Sequence, residues 1–436
     1  MAMKNKKSKG QLVGKKYLVP FVLITSLFAL WGFANDITNP LVAAFQTVME
    51  ISNAKASLIQ FAFYGGYATM AIPAALFVQR FNYKKGILLG LLLYAIGALL
   101  FIPAAQFEVF SYFLVSLYIL TFGLAFLETT ANPYILSLGK TETSTRRLNL
   151  AQAFNPVGSL LGMFVASRVV LISLESDKRN AAGELIFPTL DEATKAAIRT
   201  SDLGVIRNPY VILGCVVIVI LIIIALVKMP DKGHTKEIRV GKAFRNLFAN
   251  RVFREGVVAQ IFYVAAQIMC WTFIIQYADN LGINKATAQM YNIFAMGIFL
   301  CSRFIATFLM KYVNARKLLM LFAIGGIVTT TGVIFIEGMT GLYCLIATSA
   351  FMSLMFPTIY GIALENVKQE DATMGAALLV MAIVGGSLFP PLQGSIIDLG
   401  RVGFLPAVNA SFLLPLICFC VIALYGYRSF RLLSQK

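Results

Sequence analysis

The run Val211-Ile-Leu-Gly-Cys-Val-Val-Ile-Val-Ile-Leu-Ile-Ile-Ile-Ala-Leu-Val227 carries no charge and no side-chain amide. Its length decides the fold class. Buried strands of soluble proteins stop at about 4–8 residues, whereas a helix needs about 20 apolar residues to cross the hydrocarbon core of a bilayer. Within lipid every backbone polar group needs an internal partner, which leaves helices and closed barrels. Barrel strands would alternate apolar and polar residues over about ten positions. This run is continuous, and so is Gly86–Phe101; both read as spanning helices. The chain as a whole agrees, being 58% hydrophobic and 13% charged over 436 residues, where a soluble domain keeps about a quarter of its residues charged.

Working outward, similar blocks place twelve spans near 17–44, 56–79, 85–105, 109–138, 148–172, 209–228, 256–279, 287–310, 317–336, 341–364, 374–397 and 404–427. Of the 37 Lys and Arg, 27 fall in segments on one side, the bias that puts that side and both termini in the cytoplasm. The net charge of +17 therefore reports topology rather than nucleic-acid binding. The expected organisation is a basic cytoplasmic N-terminus at 1–16 and a six-helix half at 17–228 with an external segment at 173–207. A cytoplasmic linker at 229–254, a second six-helix half at 255–427 and a cytoplasmic tail at 428–436 complete it. In the external segment, Glu192-Ala-Thr-Lys-Ala-Ala-Ile198 reads as a short surface helix. The lysine-rich start precedes an apolar block, Tyr17–Phe45, that is too long for a signal-peptide h-region and lacks a cleavage site, so it reads as a retained span.

The two halves echo each other. Trp31-Gly-Phe33 has a counterpart in Trp271-Thr-Phe273, and Ala75-Leu-Phe-Val-Gln-Arg80 in Ala306-Thr-Phe-Leu-Met-Lys311. Ala125-Phe126 with Pro133 matches Ala350-Phe351 with Pro357, and Gly158-Ser-Leu160 matches Gly386-Ser-Leu388. Four pairs in one order indicate an internal duplication. Six plus six spans around a cytoplasmic linker is the major-facilitator plan, whose substrate site lies near the midplane between the halves.

An ionisable group inside the membrane costs about 2.5–3.5 kcal/mol on insertion scales, so each one needs a reason. Glu128 lies deep in span four, in Leu127-Glu-Thr-Thr-Ala-Asn-Pro133, with no basic residue in that span to pair with it. Burial disfavours the charged form of a carboxyl, so Glu128 can take up and release a proton as a cavity opens and closes. The alternative is a permanently protonated acid bonded to a neighbouring helix. Pro133 frees a carbonyl one turn earlier and can kink the helix. In span one, Asn35, Asp36, Thr38 and Asn39 precede Pro40 and suit a cavity-lining segment; a solvated Asp36 at the external mouth is the competing assignment. In span five Asn149, Gln152 and Asn155 recur every three residues, roughly on one helix face. Amides offer donors and acceptors to sugar hydroxyls without the desolvation cost of a charge. Asn132, Gln60, Tyr64, Gln267, Trp271 and Gln276 add further polar groups and aromatic plates. Arg303 in span eight either snorkels to the interface or pairs with an acid such as Glu365.

Other chemistries find little support. Leu138-Gly-Lys-Thr141 resembles the end of a phosphate loop, but Tyr134 stands where the first glycine belongs. The single histidine, His234, sits in the linker. The six cysteines fall in or beside apolar blocks without metal-ligand spacing. No clustered nucleophile, base or metal set marks an enzyme. A non-transporting sugar sensor would need an extended soluble signalling region, and the linker and short tails offer none.

Trp31-Gly-Phe-Ala-Asn-Asp-Ile-Thr-Asn39, Leu58-Ile-Gln-Phe-Ala-Phe-Tyr-Gly-Gly-Tyr67, Leu127-Glu-Thr-Thr-Ala-Asn-Pro133 and Arg147-Leu-Asn-Leu-Ala-Gln-Ala-Phe-Asn155 resemble the fucose–proton symporter family of the major facilitators. Tyr263-Val-Ala-Ala-Gln-Ile-Met-Cys-Trp271 and Val380-Met-Ala-Ile-Val-Gly-Gly386 extend the likeness through the second half. The resemblance implies an all-α integral membrane protein of twelve helices in two halves. It further implies a bacterial inner-membrane permease that moves a neutral monosaccharide with a proton, using no other cofactor and no metal. L-Fucose is the favoured sugar, with glucose, galactose or N-acetylglucosamine as alternatives. A lipid bilayer as surroundings, no nucleic-acid partner and a monomeric state complete the expectation. In that family the span-four glutamate, here Glu128, pairs functionally with a span-one aspartate, and Gln152 and Asn155 match its sugar-site positions. The family's aspartate falls at Asn39 of this chain. Either Asp36, one turn earlier, takes its role or coupling rests mainly on Glu128.

Overall fold

The structure, a computed structural model, describes residues 12–51, 58–178, 180, 186–229, 240–283, 285–397 and 399–434. The expected features at 1–11 and His234 lie outside them, as do the side chains of Asn39, Gln60 and Gln276. Among the described residues the chain forms twelve helical columns. Those of the first half are Leu18–Val48, Leu58–Arg80, Tyr83–Phe107, Phe110–Ser137, Thr141–Ser173 and Glu192–Leu226. Those of the second are Arg251–Thr272 continued by Ile274–Asn280, then Lys285–Leu309, Ala315–Phe335, Met339–Leu364, Gln369–Ile397 and Ala407–Leu432. We refer to them as spans one to twelve. Eleven are long and apolar enough to cross a bilayer on composition alone. Span two, 23 residues long, is mostly apolar apart from a central stretch at Tyr64, Gly65, Gly66 and Tyr67. Large apolar side chains such as Ile212, Ile305 and Val328, each about 60% exposed, face outward around the bundle, a surface that belongs in lipid rather than in water.

Several boundaries differ from the sequence expectation, three of them in ways that bear on the architecture. Glu192–Ile198 is no separate surface helix but the first turns of a 35-residue helix that runs through Pro209 into span six. Asp191 starts it as N-cap, its carboxylate accepting from the Thr194 amide at 3.0 Å and hydroxyl at 2.7 Å. The linker ends sooner than 254: Val240–Ala249 is a helix of its own, and span seven begins at Arg251, capped by Asn250. Span twelve starts at 407 rather than 404, because Arg401–Val402 and Leu405–Pro406 pair antiparallel across a turn at Gly403.

The long helix is fastened at its exposed end. Glu50, just past span one, pairs with Lys195 at 3.0 Å and Arg199 at 3.1 Å. Buried Asp202 accepts the Glu175 and Ser176 amides at 3.0 and 2.8 Å, closing the connection after span five onto span six.

The duplication has a physical counterpart in packing. Spans one and five approach so closely that a Cβ on Gly158 would lie 1.7 Å from the Ala29 carbonyl oxygen. In the second half, a Cβ on Gly385 would lie 2.4 Å from the carbonyl oxygen of Ile261 in span seven. Each half thus presses its fifth helix, backbone to backbone, against its first. Gly158→Ala should cost about 3 kcal/mol, the upper end of overpacking penalties, read as a fall in thermal midpoint in detergent. An unchanged midpoint would show that the two spans are free to separate.

Candidate functional site

The acid in span four sits about 14 Å, nine helical residues at about 1.5 Å each, from the end of Phe110–Ser137 nearest the basic segments. Its side chain is half-buried, since it faces a cavity of about 130 Å³ enclosed by both halves. Drug-sized pockets run to about 300–1,000 Å³, so this one suits a small ligand. Span one supplies Trp31, Asn35 and Asp36 to the walls, span two Tyr64 and Tyr67, and span five Gln152, Asn155 and Ser159. Across from them stand Gln267 and Trp271 of span seven and Met296, Phe299 and Arg303 of span eight.

Asp36 is 6% exposed and faces the Ser159 hydroxyl and the Asn35 amide. The solvated-mouth alternative for Asp36 is therefore set aside. Glu128 meets the Tyr67 hydroxyl, and its Oε2 is buried without a hydrogen-bond partner. Among the described residues neither acid forms an ion pair. Span four continues as a helix past Glu128 with Pro133 inside it. Near the carbonyls loosened by that proline, the Asn132 amide donates to the Glu128 backbone carbonyl at 3.0 Å. The Gln152 side-chain amide in turn donates to the Asn132 side-chain oxygen at 2.8 Å. Asn132 is fully buried behind the cavity and positions Gln152 rather than lining the wall. Tyr360 of span ten closes this layer from the other half, beside Asn132 and Glu128.

The regular spacing of Asn149, Gln152 and Asn155 does not survive as one face. The helix Ser144–Gln152 ends and Asn155–Val165 begins after a break at Ala153 and Phe154. Gln152 and Asn155 reach the cavity, and Asn155 also donates to the Phe28 carbonyl at 3.2 Å. Asn149 does not. It is fully buried and donates to the Thr145 carbonyl at 2.9 Å and to the Thr358 hydroxyl of span ten at 3.2 Å, within the contact between halves.

Trp271 lies in the wall, its indole N–H donating to the Ser349 hydroxyl at 3.2 Å and its ring edge-on to Phe299. Its repeat mate Trp31 lines the opposite side, with an indole N–H that has no protein partner. The two tryptophans paired by the duplication thus face one cavity.

Arg303 is corrected most. Glu365 belongs to Arg316, at 2.6 Å, and Arg303 neither snorkels nor meets an acid. It is 3% exposed, donates through Nε to the Ser353 carbonyl, and through Nη1 to the Gln152 carbonyl at 3.0 Å. Its guanidinium lies over the Phe299 ring, 4.6 Å from the centroid. The Gln152 contact crosses between halves. Others that cross are Tyr83–Thr373 at 3.1 Å and Gln79 to the Glu370 carbonyl at 3.5 Å. Together with Asn149–Thr358 they lie at the cavity floor or nearer the basic end, so the halves are clamped on that side.

Sequence reasoning missed Trp31, Tyr67, Ser159, Phe299 and Arg303 as wall residues. Arg303 carried a signal as an intramembrane cation, and Trp31 as the repeat mate of Trp271.

Comparison with known proteins gives the same picture. The sequence pattern of the Major Facilitator Superfamily matches residues 22–391. An L-fucose-proton symporter of Haemophilus influenzae is 66% identical, over 98% of this chain and 100% of its own length. One from Escherichia coli is 33% identical over 96% and 94%, and a glucose/galactose transporter of Brucella abortus 31% identical over 94% of each. The solved transporter FucP in the outward conformation superposes with a TM-score of 0.86 at 32% identity, covering 95% of this chain and 99% of that one. Twelve columns in two halves around a polar cavity, matched end to end by these relatives, make the chain a member of the Major Facilitator Superfamily.

Proposed function

We propose that this chain carries L-fucose into the cell together with a proton, by alternating access around the central cavity. It is a transporter and not an enzyme, as its relatives are sugar symporters and transporters. The observation that carries the proposal is one cavity holding two acids outside any described ion pair, ringed by neutral amides. Such a site recognises a neutral hydroxylated ring and leaves a carboxyl available for a proton. Glu128 is the coupling group. Asp36 takes the second acidic role, supported by its place in the wall beside Ser159. Asn35, Gln152, Asn155 and Gln267 hydrogen-bond the sugar, Tyr64 and Trp271 give it apolar faces, and Trp31 offers a donor. Asn132 and Asn149 act behind the wall. Asn39, Gln60 and Gln276 remain in the proposed set on their sequence positions alone.

A division into halves at 17–228 and 251–427, a monomeric state and a bacterial inner-membrane location with both termini in the cytoplasm belong to the same proposal. The basic end is then cytoplasmic, and a clamp on that side describes a carrier whose cavity faces outward. Uptake of single labelled sugars by a permease-deficient strain expressing the chain tests it. L-Fucose should enter at least tenfold faster than glucose or galactose; the reverse order would make it a hexose carrier. Gln152→Ala should weaken sugar binding about tenfold, since a buried hydrogen bond is worth about 1 kcal/mol and its Asn132 partner is also orphaned. Unaltered binding in that variant would remove Gln152 from the site.

A further inference from the structure

A second cavity, about 670 Å³, opens on the outer surface of the first half between spans one, five and six. Its walls are apolar, with Leu30 and Phe33 from span one, Leu161 and Val165 from span five, and Ile212 and Val216 from span six. Two irregularities hold the helices apart here. Span five widens into a π turn at Ala166–Val170, and span six contains Pro209.

The polar groups of this groove gather at one end, away from the basic clamp. Ser173 and Asn208 line it there. Asn208 holds the neighbouring Arg207, whose Nε and Nη2 donate to its side-chain oxygen at 3.3 and 2.9 Å. Among the described ion pairs none involves Arg207. Held on Asn208, a wall residue, the guanidinium lies beside the polar end of the slot, where it fits an amphiphile whose anionic head accepts a forked hydrogen bond. Arginine matches phosphate in that geometry, and span-flanking cations lie at headgroup depth.

We propose that this groove binds one membrane glycerophospholipid, its acyl chain between spans one, five and six and its phosphate on Arg207. Span one then has a ligand on either side: Asn35 and Asp36 face the sugar cavity, while Leu30 and Phe33 face the lipid. The inference does not depend on which sugar is carried.

Native mass spectrometry of the full chain, extracted in mild detergent and titrated with phosphatidylglycerol, tests it. One phosphatidylglycerol should stay bound per chain, while diacylglycerol, which has the chains but no phosphate, should bind at least tenfold more weakly. Arg207→Gln should lower phosphatidylglycerol retention at least tenfold, and Arg207→Lys should recover part of it. Ile212→Trp, which fills the slot from an exposed position, should lower it as much. Sugar binding by each variant reports folding. Equal retention of diacylglycerol, or undiminished retention in either Arg207→Gln or Ile212→Trp, would overturn the proposal.

Discussion

Replacing Glu128 with Gln should abolish uphill sugar accumulation while leaving sugar exchange across the membrane within about twofold of the parent. The substitution keeps shape and hydrogen-bonding capacity and removes only the titratable proton. Moving one charge inward at 100 mV supplies about 2.3 kcal/mol, which sustains roughly a forty-fold gradient at about 1.4 kcal/mol per decade. The variant carries no proton, so its steady-state ratio should fall from up to about forty toward one. Exchange needs only loaded carriers to swing, and should persist. Vesicles with an imposed potential measure the first quantity, and counterflow the second. Accumulation that survives in Glu128→Gln would transfer the coupling role to Asp36, the other acid in the wall.

Replacing Arg303 with Met should shift the carrier toward its opposite opening. Met fills most of the apolar volume over Phe299 but cannot donate to the carbonyls of Ser353 and Gln152. Hydrogen bonds from a charged donor contribute about 1.5–3 kcal/mol. The bond to Ser353 stays within one half and the bond to Gln152 crosses, so only the latter distinguishes a closed floor from an open one. Its loss alone should change the ratio of the two openings by roughly ten- to a hundred-fold. A cysteine placed at Thr373, 1% exposed beside Tyr83 in the basic-end clamp, reports the opening through its alkylation rate. With the native cysteines replaced, that rate should rise at least tenfold in Arg303→Met. A change below twofold would reduce Arg303 to filling space.

Most of the fold was legible because a membrane leaves few choices. A charge-free run such as 211–227 has to be a spanning helix, and twelve columns appear where twelve were expected. What failed was continuity and depth. Nothing polar between Glu192 and Asn208 announces that those turns join span six, and Pro209, which reads as a boundary, is absorbed within the helix. The site divides in a similar way. Glu128, Asp36, Gln152 and Asn155 stand out because polar groups inside apolar runs need partners. Asn149 shares their spacing, but the break at Ala153–Phe154 turns it toward Thr358. Tyr67 and Phe299 are not distinguishable from packing aromatics, since only their direction sets them apart, whereas Trp31 is marked by its repeat mate Trp271. Arg303 invites either the interface or an acid as its partner, because an intramembrane cation usually finds one of them; two backbone carbonyls on opposite sides of a joint leave no trace in sequence.

Infrared difference spectroscopy of the reconstituted protein addresses the central claim most directly, since it observes the carboxyl proton itself. Stepping the pH should produce a reversible protonated-carboxyl band that shifts when sugar is added and is missing from Glu128→Gln. The same band persisting unchanged in Glu128→Gln, or a Glu128 carboxyl that never changes protonation across the functional pH range, would contradict the account.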